Sequence, residues 1–256
     1  MRILSIDSSL GTQLLVADAP DRPDADAAPA SLNILTTAGQ DSPRRHAESL
    51  GPMLSAALAD PAVAAAPLDA VVAATGPAPF TGLRAGLVTA RAIGRARGIP
   101  VYGVPSLDAV ARAALDQLAR RDQQAAQSAT VLVATDARRK EVYTARYRAR
   151  GADDVERLGE YEVLAPAALR QREESAAQPP ADVVAGSGVA LYPELVAGRE
   201  ALAPVSGEAA AQVRIALARL RALDGAGEEA VQQAGLGTAP LYLRRPDVQM
   251  SAGRAR

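Results

Sequence analysis

Apolar residues recur along this chain in two rhythms, every second residue and every third or fourth, and the switches between them mark the elements. Ile3-Leu4-Ser5-Ile6-Asp7 is a short β-rich run closing on an acid, and Ser8-Ser9-Leu10-Gly11-Thr12 has the Ser and Gly content of a tight connection. Gln13 to Ala17 returns as a second strand, which predicts a hairpin carrying Asp7, Ser8 and Ser9 at its tip. Asp18 to Ser31 is rich in Asp, Pro and Ala and reads as an exposed loop; Leu32 to Thr36 reads as a third strand. Ser42-Pro43 then predicts a helix start, and Leu50, Met53, Leu54, Ala57 and Leu58 share one side at helical spacing. Pro52 lacks a backbone donor and predicts a kink or restart within that helix.

The near-continuous apolar run Leu68 to Thr75 predicts a buried strand. The stretch from Thr75 to Gly86 joins it to a small-residue helical pattern from Leu83 to Arg97. Strand-to-helix junctions are where α/β proteins bind ligands, and this one holds Phe80, the only Phe in a chain without Trp. Thr81 is the expected cap of the following helix. Its end is marked by Arg95 and Arg97 in the last turn, Gly98 after it and Pro100 beyond. Within it Gly86, Ala90 and Gly94 are four apart and form a stripe with almost no side chain, so another backbone can approach closely, from the same domain or from a partner. Val101 to Val104 reads as a strand, and Ser106 as the cap of a helix to about Arg121 with Leu107, Val110, Ala114 and Leu118 inward.

Gln123 to Ser128 is a polar break. After it the opening of the chain repeats: Val131 to Asp136 is a strand ending in an acid, Ala137 to Lys140 a turn, and Glu141 to Arg148 an alternating strand, so that Asp136 takes the place held by Asp7. Two such openings suggest a duplicated α/β architecture. The expected division is an N-terminal lobe over 1–122, a smaller C-terminal lobe over 129–250 and a flexible tail over 251–256. Arg170 to Pro180 reads as a charged surface segment, Asp182 to Ala185 as a strand before a Gly186-Ser187-Gly188 turn, Glu208 to Leu223 as an amphipathic helix and Pro240 to Pro246 as an extended segment.

Composition narrows the chemistry. The 256 residues are 48% hydrophobic and 22% charged, which suits one large or two modest globular domains. A net charge of −1 predicts no broad basic face for autonomous nucleic-acid binding. Lys140 is the only lysine, which we read with the abundant Ala as a coding bias. The absence of Cys excludes disulfides and thiolate chemistry, and a single histidine, His46, excludes a His-pair metal site within the chain. With no apolar leader and no stretch of about 20 apolar residues, a cytoplasmic protein with no membrane contact is expected.

Asp7 beside Ser8, Ser9 and Gly11 suits phosphate or Mg²⁺–phosphate binding, because amides and hydroxyls donate to oxygens while an acid holds the metal's water. The pairing with Asp136 strengthens that reading; an acid at a strand end is also a common cap. Gly186-x-Gly188 facing an adenosine is a weak signal. A hydrolase built on Ser9 and His46 lacks a Gly-x-Ser-x-Gly elbow. His46, beside Glu48 near a helix start, reads as a structural or interface residue. Arg84 and Arg91 read as solvated helix charges or as contacts to phosphates or a partner's carboxylates.

Several of these runs together resemble the TsaB (YeaZ) family: Ile6-Asp7-Ser8-Ser9, His46-Ala47-Glu48, Gly76 through Gly86, Asp136-Ala137-Arg138 with Glu141-Val142-Tyr143, and Tyr242-Leu243-Arg244-Arg245-Pro246. The most specific is Phe80-Thr81-Gly82-Leu83-Arg84-x-Gly86. The resemblance covers nearly the whole chain and implies an α/β, two-lobed actin-like fold (actin, sugar kinase, Hsp70) with a degenerate second lobe. It implies a non-catalytic scaffold subunit required for threonylcarbamoyl transfer to N6 of adenosine beside the anticodon in tRNAs reading ANN codons. Its catalytic relative TsaD carries a His-x-x-x-His metal motif, whereas here Leu50 stands four residues after His46. The implied partners are a TsaD-like catalytic subunit, a TsaE-like ATPase, tRNA through the complex, and a second copy when alone. The implied interface lies on the helices over about 42–60 and 83–97, with His46, Leu50, Leu54, Arg84, Gly86, Leu87, Ala90 and Gly94. No cofactor is expected to bind stably, with ADP or ATP placed at the junction with the partner and Asp7, Ser8, Ser9 and Asp136 as its phosphate candidates. Ala78 replaces a glycine common in the family, and Pro79 follows it, which stiffens the loop. The alternative is an ATP-dependent phosphotransferase of the sugar-kinase type using Asp7 and Asp136.

Overall fold

The computed structural model describes residues 1–20, 29–42, 45–175, 179–203, 206, 208–223 and 227–244. The expected helical Pro43, the end of the Tyr242–Pro246 segment and the tail over 251–256 lie outside these residues. In chain order the elements are β1 (Arg2–Asp7), β2 (Thr12–Asp18), β3 (Asn33–Gln40), α1 (His46–Ala59), α2 (Pro61–Ala64), β4 (Ala70–Ala74), α3 (Phe80–Arg97), β5 (Val101–Val104), α4 (Ser106–Ala119) and α5 (Gln123–Ser128). They continue as β6 (Val131–Asp136), β7 (Val142–Arg150), β8 (Asp154–Arg157), β9 (Glu162–Leu164), α6 (Pro166–Glu174), β10 (Val183–Ala185), α7 (Ser187–Leu191), a 3₁₀ turn (Pro193–Leu195), β11 (Glu200–Ala201), α8 (Ala209–Arg221) and α9 (Glu228–Gln233).

The first sheet has the order β3-β2-β1-β4-β5, with β1, β4 and β5 parallel and β2 and β3 antiparallel to their neighbours. Alternation along β1 sends Leu4 and Ile6 to one face, where α1 and α3 bring Leu50, Leu83, Leu87 and Ile93, and Ile3 to the other, where α8 brings Val213, Ala216 and Leu217. The second sheet has the order β11-β10-β6-β7-β8, with β9 also on β7. Its core is Val131, Val133, Tyr143, Ala145 and Tyr147 packed by Leu107, Val110, Ala111, Ala114 and Leu115 of α4. The strands therefore separate at 122–129, but the helices cross: α4 covers the second sheet and α8 returns to the first.

Charges fasten that crossing. Arg214 of α8 reaches Asp153 at 2.7 Å and also pairs with Asp116 of α4, while Arg219 reaches Asp108 of α4 at 2.7 Å and Asp154 at 2.9 Å. All of these side chains are largely withdrawn from water, where unpaired charge would be costly.

Helix starts depart from the sequence reading. α1 begins at His46 without a side-chain cap, rather than at Ser42, and runs unbroken through Pro52. The lost hydrogen bond falls in the second turn on an exposed face, where the Glu48 carbonyl can turn to water. α3 and α4 begin at Phe80 and Ser106, so Thr81 and Ser106 are inside their helices and cap nothing. Each is entered instead from a proline, Pro79 or Pro105, whose fixed φ leads the extended chain into the first turn. The expected break over 123–128 is α5, capped by the Asp122 carboxylate accepting the Ala125 amide at 2.9 Å and anchored by buried Ala126. The front of the charged segment from Arg170 is α6, laced by Arg170 pairs to Glu173 and Glu174.

Candidate functional site

The hairpin tips come together at the lobe junction. On the first, the Asp7 carboxylate is buried; Oδ1 accepts the Ser9 amide at 2.6 Å and Oδ2 accepts Gln212 Nε2 of α8 at 2.6 Å. Burial pushes the Asp7 carboxyl up, partly opposed by the hydrogen bonds from Ser9 and Gln212 and by nearby His46. Ser8 Oγ donates to the Gly82 carbonyl at 2.7 Å and accepts the Gly86 amide at 3.1 Å, pinning the tip to the first turns of α3. On the second, Asp136 accepts both the amide and the guanidinium of Arg138 at 2.8 Å, and its own amide donates to Ser187 Oγ at 3.0 Å. The gap lined by Ser9, Ala78, Ser106, Asp136 and Ser187 has a volume of about 10 Å³, room for roughly one water molecule. Ser106 Oγ is buried there without a hydrogen-bond partner.

His46 is equally fixed. Nδ1 lies 3.1 Å from Thr12 Oγ1, which also accepts Gln40 Nε2 at 3.0 Å, and the other ring nitrogen abuts Gly82, where a Cβ would stand 2.7 Å from it. Among the described residues no hydrogen bond joins Ser9 to this imidazole, whose Nδ1 faces Thr12 instead. Among the described residues no group of three His, Asp or Glu side chains could hold a metal, and no helix is long and apolar enough to cross a membrane.

The small-residue stripe faces inward. A Cβ on Gly86 would stand 2.3 Å from Ser8 Oγ, and one on Gly94 2.2 Å from Val101 Cγ2; Ala90 and Leu87 are buried. These residues seat α3 on β1 and β5. The close approach they permit is made within the lobe. His46 and Leu50 are buried too, and Leu54 packs half-buried on the same core. Of the eight expected interface residues only Arg84 is exposed. The outward face of α3 carries Arg84, Val88, Arg91 and Arg95 at helical spacing, with Val88 63% exposed.

Arg84 and Arg91 are held by the chain's own C-terminal segment. Arg84 lies 3.6 Å over the Phe80 ring and donates to Tyr242 Oη at 2.7 Å, while Phe80 and Tyr242 stack with centroids 5.1 Å apart. Arg91 donates to the Thr238 carbonyl at 2.7 Å. Leu241 donates its amide to the Thr75 carbonyl at 2.8 Å, and Arg244 reaches the Ala137 carbonyl at 3.0 Å and pairs with Glu141. The segment thus straps the first lobe to the second hairpin.

Two sheets, each opened by a strand–acid–turn–strand unit and joined by crossing helices, define a two-lobed α/β fold of the actin, sugar-kinase and Hsp70 type. The model of the family TsaD, tRNA N6-adenosine threonylcarbamoyltransferase, matches residues 39–231, and the chain belongs to that family. Over nearly its full length it is TsaB (YeaZ)-like. YeaZ from Pseudomonas aeruginosa superposes with a TM-score of 0.66 at 27% identity, covering 94% of this chain and 99% of that one. A second structure from the same organism, an uncharacterized protein with similarity to peptidase YEAZ, gives 0.64 at 27% identity, covering 95% and 99%. An uncharacterized protein of Mycobacterium tuberculosis is 54% identical over 104 residues, 41% of this chain and 43% of that protein. The match thus spans less than half the length of that curated relative.

Proposed function

We propose that this chain is the non-catalytic scaffold of a threonylcarbamoyladenosine-forming complex, pairing with a TsaD-like catalytic subunit, with a TsaE-like ATPase and tRNA joining through the complex. The carrying observation is the state of its single imidazole: His46 is locked between Thr12 and Gly82, and Leu50, one turn on, is a buried core residue. A His-x-x-x-His metal site needs both side chains presented to one ion, and here one is absent and the other engaged. The near-full-length likeness to YeaZ supports the same reading. ADP or ATP belongs, in this proposal, at the junction with the partner, since Asp7 and Asp136 are both satisfied by their own lobes. Alone, the chain pairs with a second copy, and it works in the cytoplasm.

The face offered to the partner is the outward stripe of α3. Val88→Glu places a charge in the middle of it without touching the lobe core, so thermal unfolding should stay unchanged while affinity for a purified TsaD-like subunit falls about tenfold or more. Threonylcarbamoyl transfer to tRNA in the reconstituted mixture should fall with it. Transfer by the chain alone, or ATP turnover by the chain alone, would overturn the scaffold reading in favour of an enzyme.

A further inference from the structure

A larger space opens where the C-terminal segment crosses the lobe junction. It has a volume of about 440 Å³, within the range of small-molecule sites. Thr75, which follows β4, and Pro105, which follows β5, form part of its wall, so it lies at the carboxyl ends of parallel strands, where open α/β sheets accommodate ligands.

Its charge is unbalanced toward cations. Asp108 has both oxygens occupied, Oδ1 by the hydroxyls of Tyr147 and Tyr161 at 3.0 and 2.8 Å and Oδ2 by Arg219. Glu156 is held by Arg148 at 2.8 Å. Arg150, also in the wall, makes no side-chain hydrogen bond or close ion pair among the described residues, although its charge is felt by Glu156. Arg157 pairs loosely with the exposed Glu160, at 3.7 Å. Three arginines, Arg150, Arg157 and Arg219, thus line this space against two acids, Asp108 and Glu156.

Its shape suits a flat molecule. The Arg157 guanidinium lies 3.9 Å over the Tyr161 ring, and such Arg–aromatic pairs present planar, cationic surface to a ring. Gly235, at φ +72°, and Gly237, over which the Gln232 carboxamide lies, also line the cavity. Two polar side chains are unused among the described residues: Thr75 has its methyl toward Gly103 and its hydroxyl in no hydrogen bond, and the Gln232 carboxamide is likewise unbonded.

We propose that this cavity binds a mononucleotide-sized organic anion, its planar ring against the Arg157–Tyr161 pair, its phosphate met by Arg150 and Arg157, and a polar edge met by Thr75 and Gln232. Nothing in this depends on pairing with a catalytic subunit. Calorimetric titration of the full chain alone with AMP, with UMP and with inorganic phosphate tests it. AMP or UMP should saturate one site per chain with Kd of about 1 mM or tighter, and inorganic phosphate should bind at least about tenfold more weakly. Arg157→Glu should weaken the nucleotide at least about tenfold. Thr75→Val should weaken it about threefold or more while leaving the thermal midpoint unchanged, because the hydroxyl it removes has no partner to lose. No saturable binding of either nucleotide at about 10 mM, affinity unaltered in both variants, or phosphate binding as tight as AMP would each overturn the proposal.

Discussion

The tips of the two opening hairpins stand at equivalent places in their sheets, and yet they are built to different ends. Asp7 is covered by two helices: Gln212 of α8 closes on its carboxylate, and Ser8 beside it is stitched to α3. The Asp136 carboxylate accepts from local groups, the amide and guanidinium of Arg138, and its turn runs Arg138, Arg139 and Lys140 through φ of 62, 55 and 60°, all exposed. Duplication set where each acid sits. What packs on the tip set its chemistry: the first acid is a buried rivet between strand, turn and helix, and the second is a cap for a strained, cationic turn.

Breaking the first tip should therefore cost far more than breaking the second. Gly86→Leu drives a side chain into Ser8 and should destabilise the chain by about 3 kcal/mol, through overpacking and the loss of the Ser8 seam. Urea denaturation reads this directly; a loss below about 1 kcal/mol would mean that the seam does not hold α3. Next in size, Asp7→Ala leaves the Ser9 amide and Gln212 amide unpaired and should cost about 2 kcal/mol, against about 0.5 kcal/mol for Asp136→Ala, whose partner arginine is half exposed. Equal losses would erase the distinction between the tips. The Asp7 effect also carries a pH signature. Burial raises its carboxyl in the folded state, so the protonated form is held more tightly there than in the unfolded chain. That contribution is fully present below the ordinary carboxylate range and is lost as pH climbs through the raised value, so the stability gap between wild type and Asp7→Ala should narrow from about pH 4 upward. The smallest effect is a gain: Lys140→Gly relieves one left-handed residue and should stabilise the second tip by about 0.5 kcal/mol.

Much of the fold was legible in the sequence because burial imposes period. The strand from Ile3, the repeat at Val131 and the helix ending at Gly98 were all visible from spacing and punctuation. The caps were not, since Ser and Thr near a helix start look the same whether they cap it or follow a proline that leads into it, as at Thr81 and Ser106. The direction of the Gly86–Ala90–Gly94 stripe was equally hidden: small residues announce a close approach and leave open which surface approaches. Ser8 and Val101 answer that question only in three dimensions. The site suffered most from long-range partners. Gln212 lies 205 positions from Asp7, and Tyr242 lies 158 from Arg84, so neither the riveting of the first acid nor the clasping of the arginine could be read from local pattern.

The return of α8 to the first sheet has a consequence for the order in which the molecule is made. Ile3, Leu15, Val72 and Val104 leave the ribosome early, but the side chains that cover them, from Val213 to Leu217 and Leu236, are synthesised more than a hundred residues later. α4, made in between, has by then found its place on the second sheet. The nascent N-terminal lobe thus carries one uncovered apolar sheet face through most of translation, a surface of the kind chaperones recognise, and it becomes a finished domain only when nearly the last helix arrives.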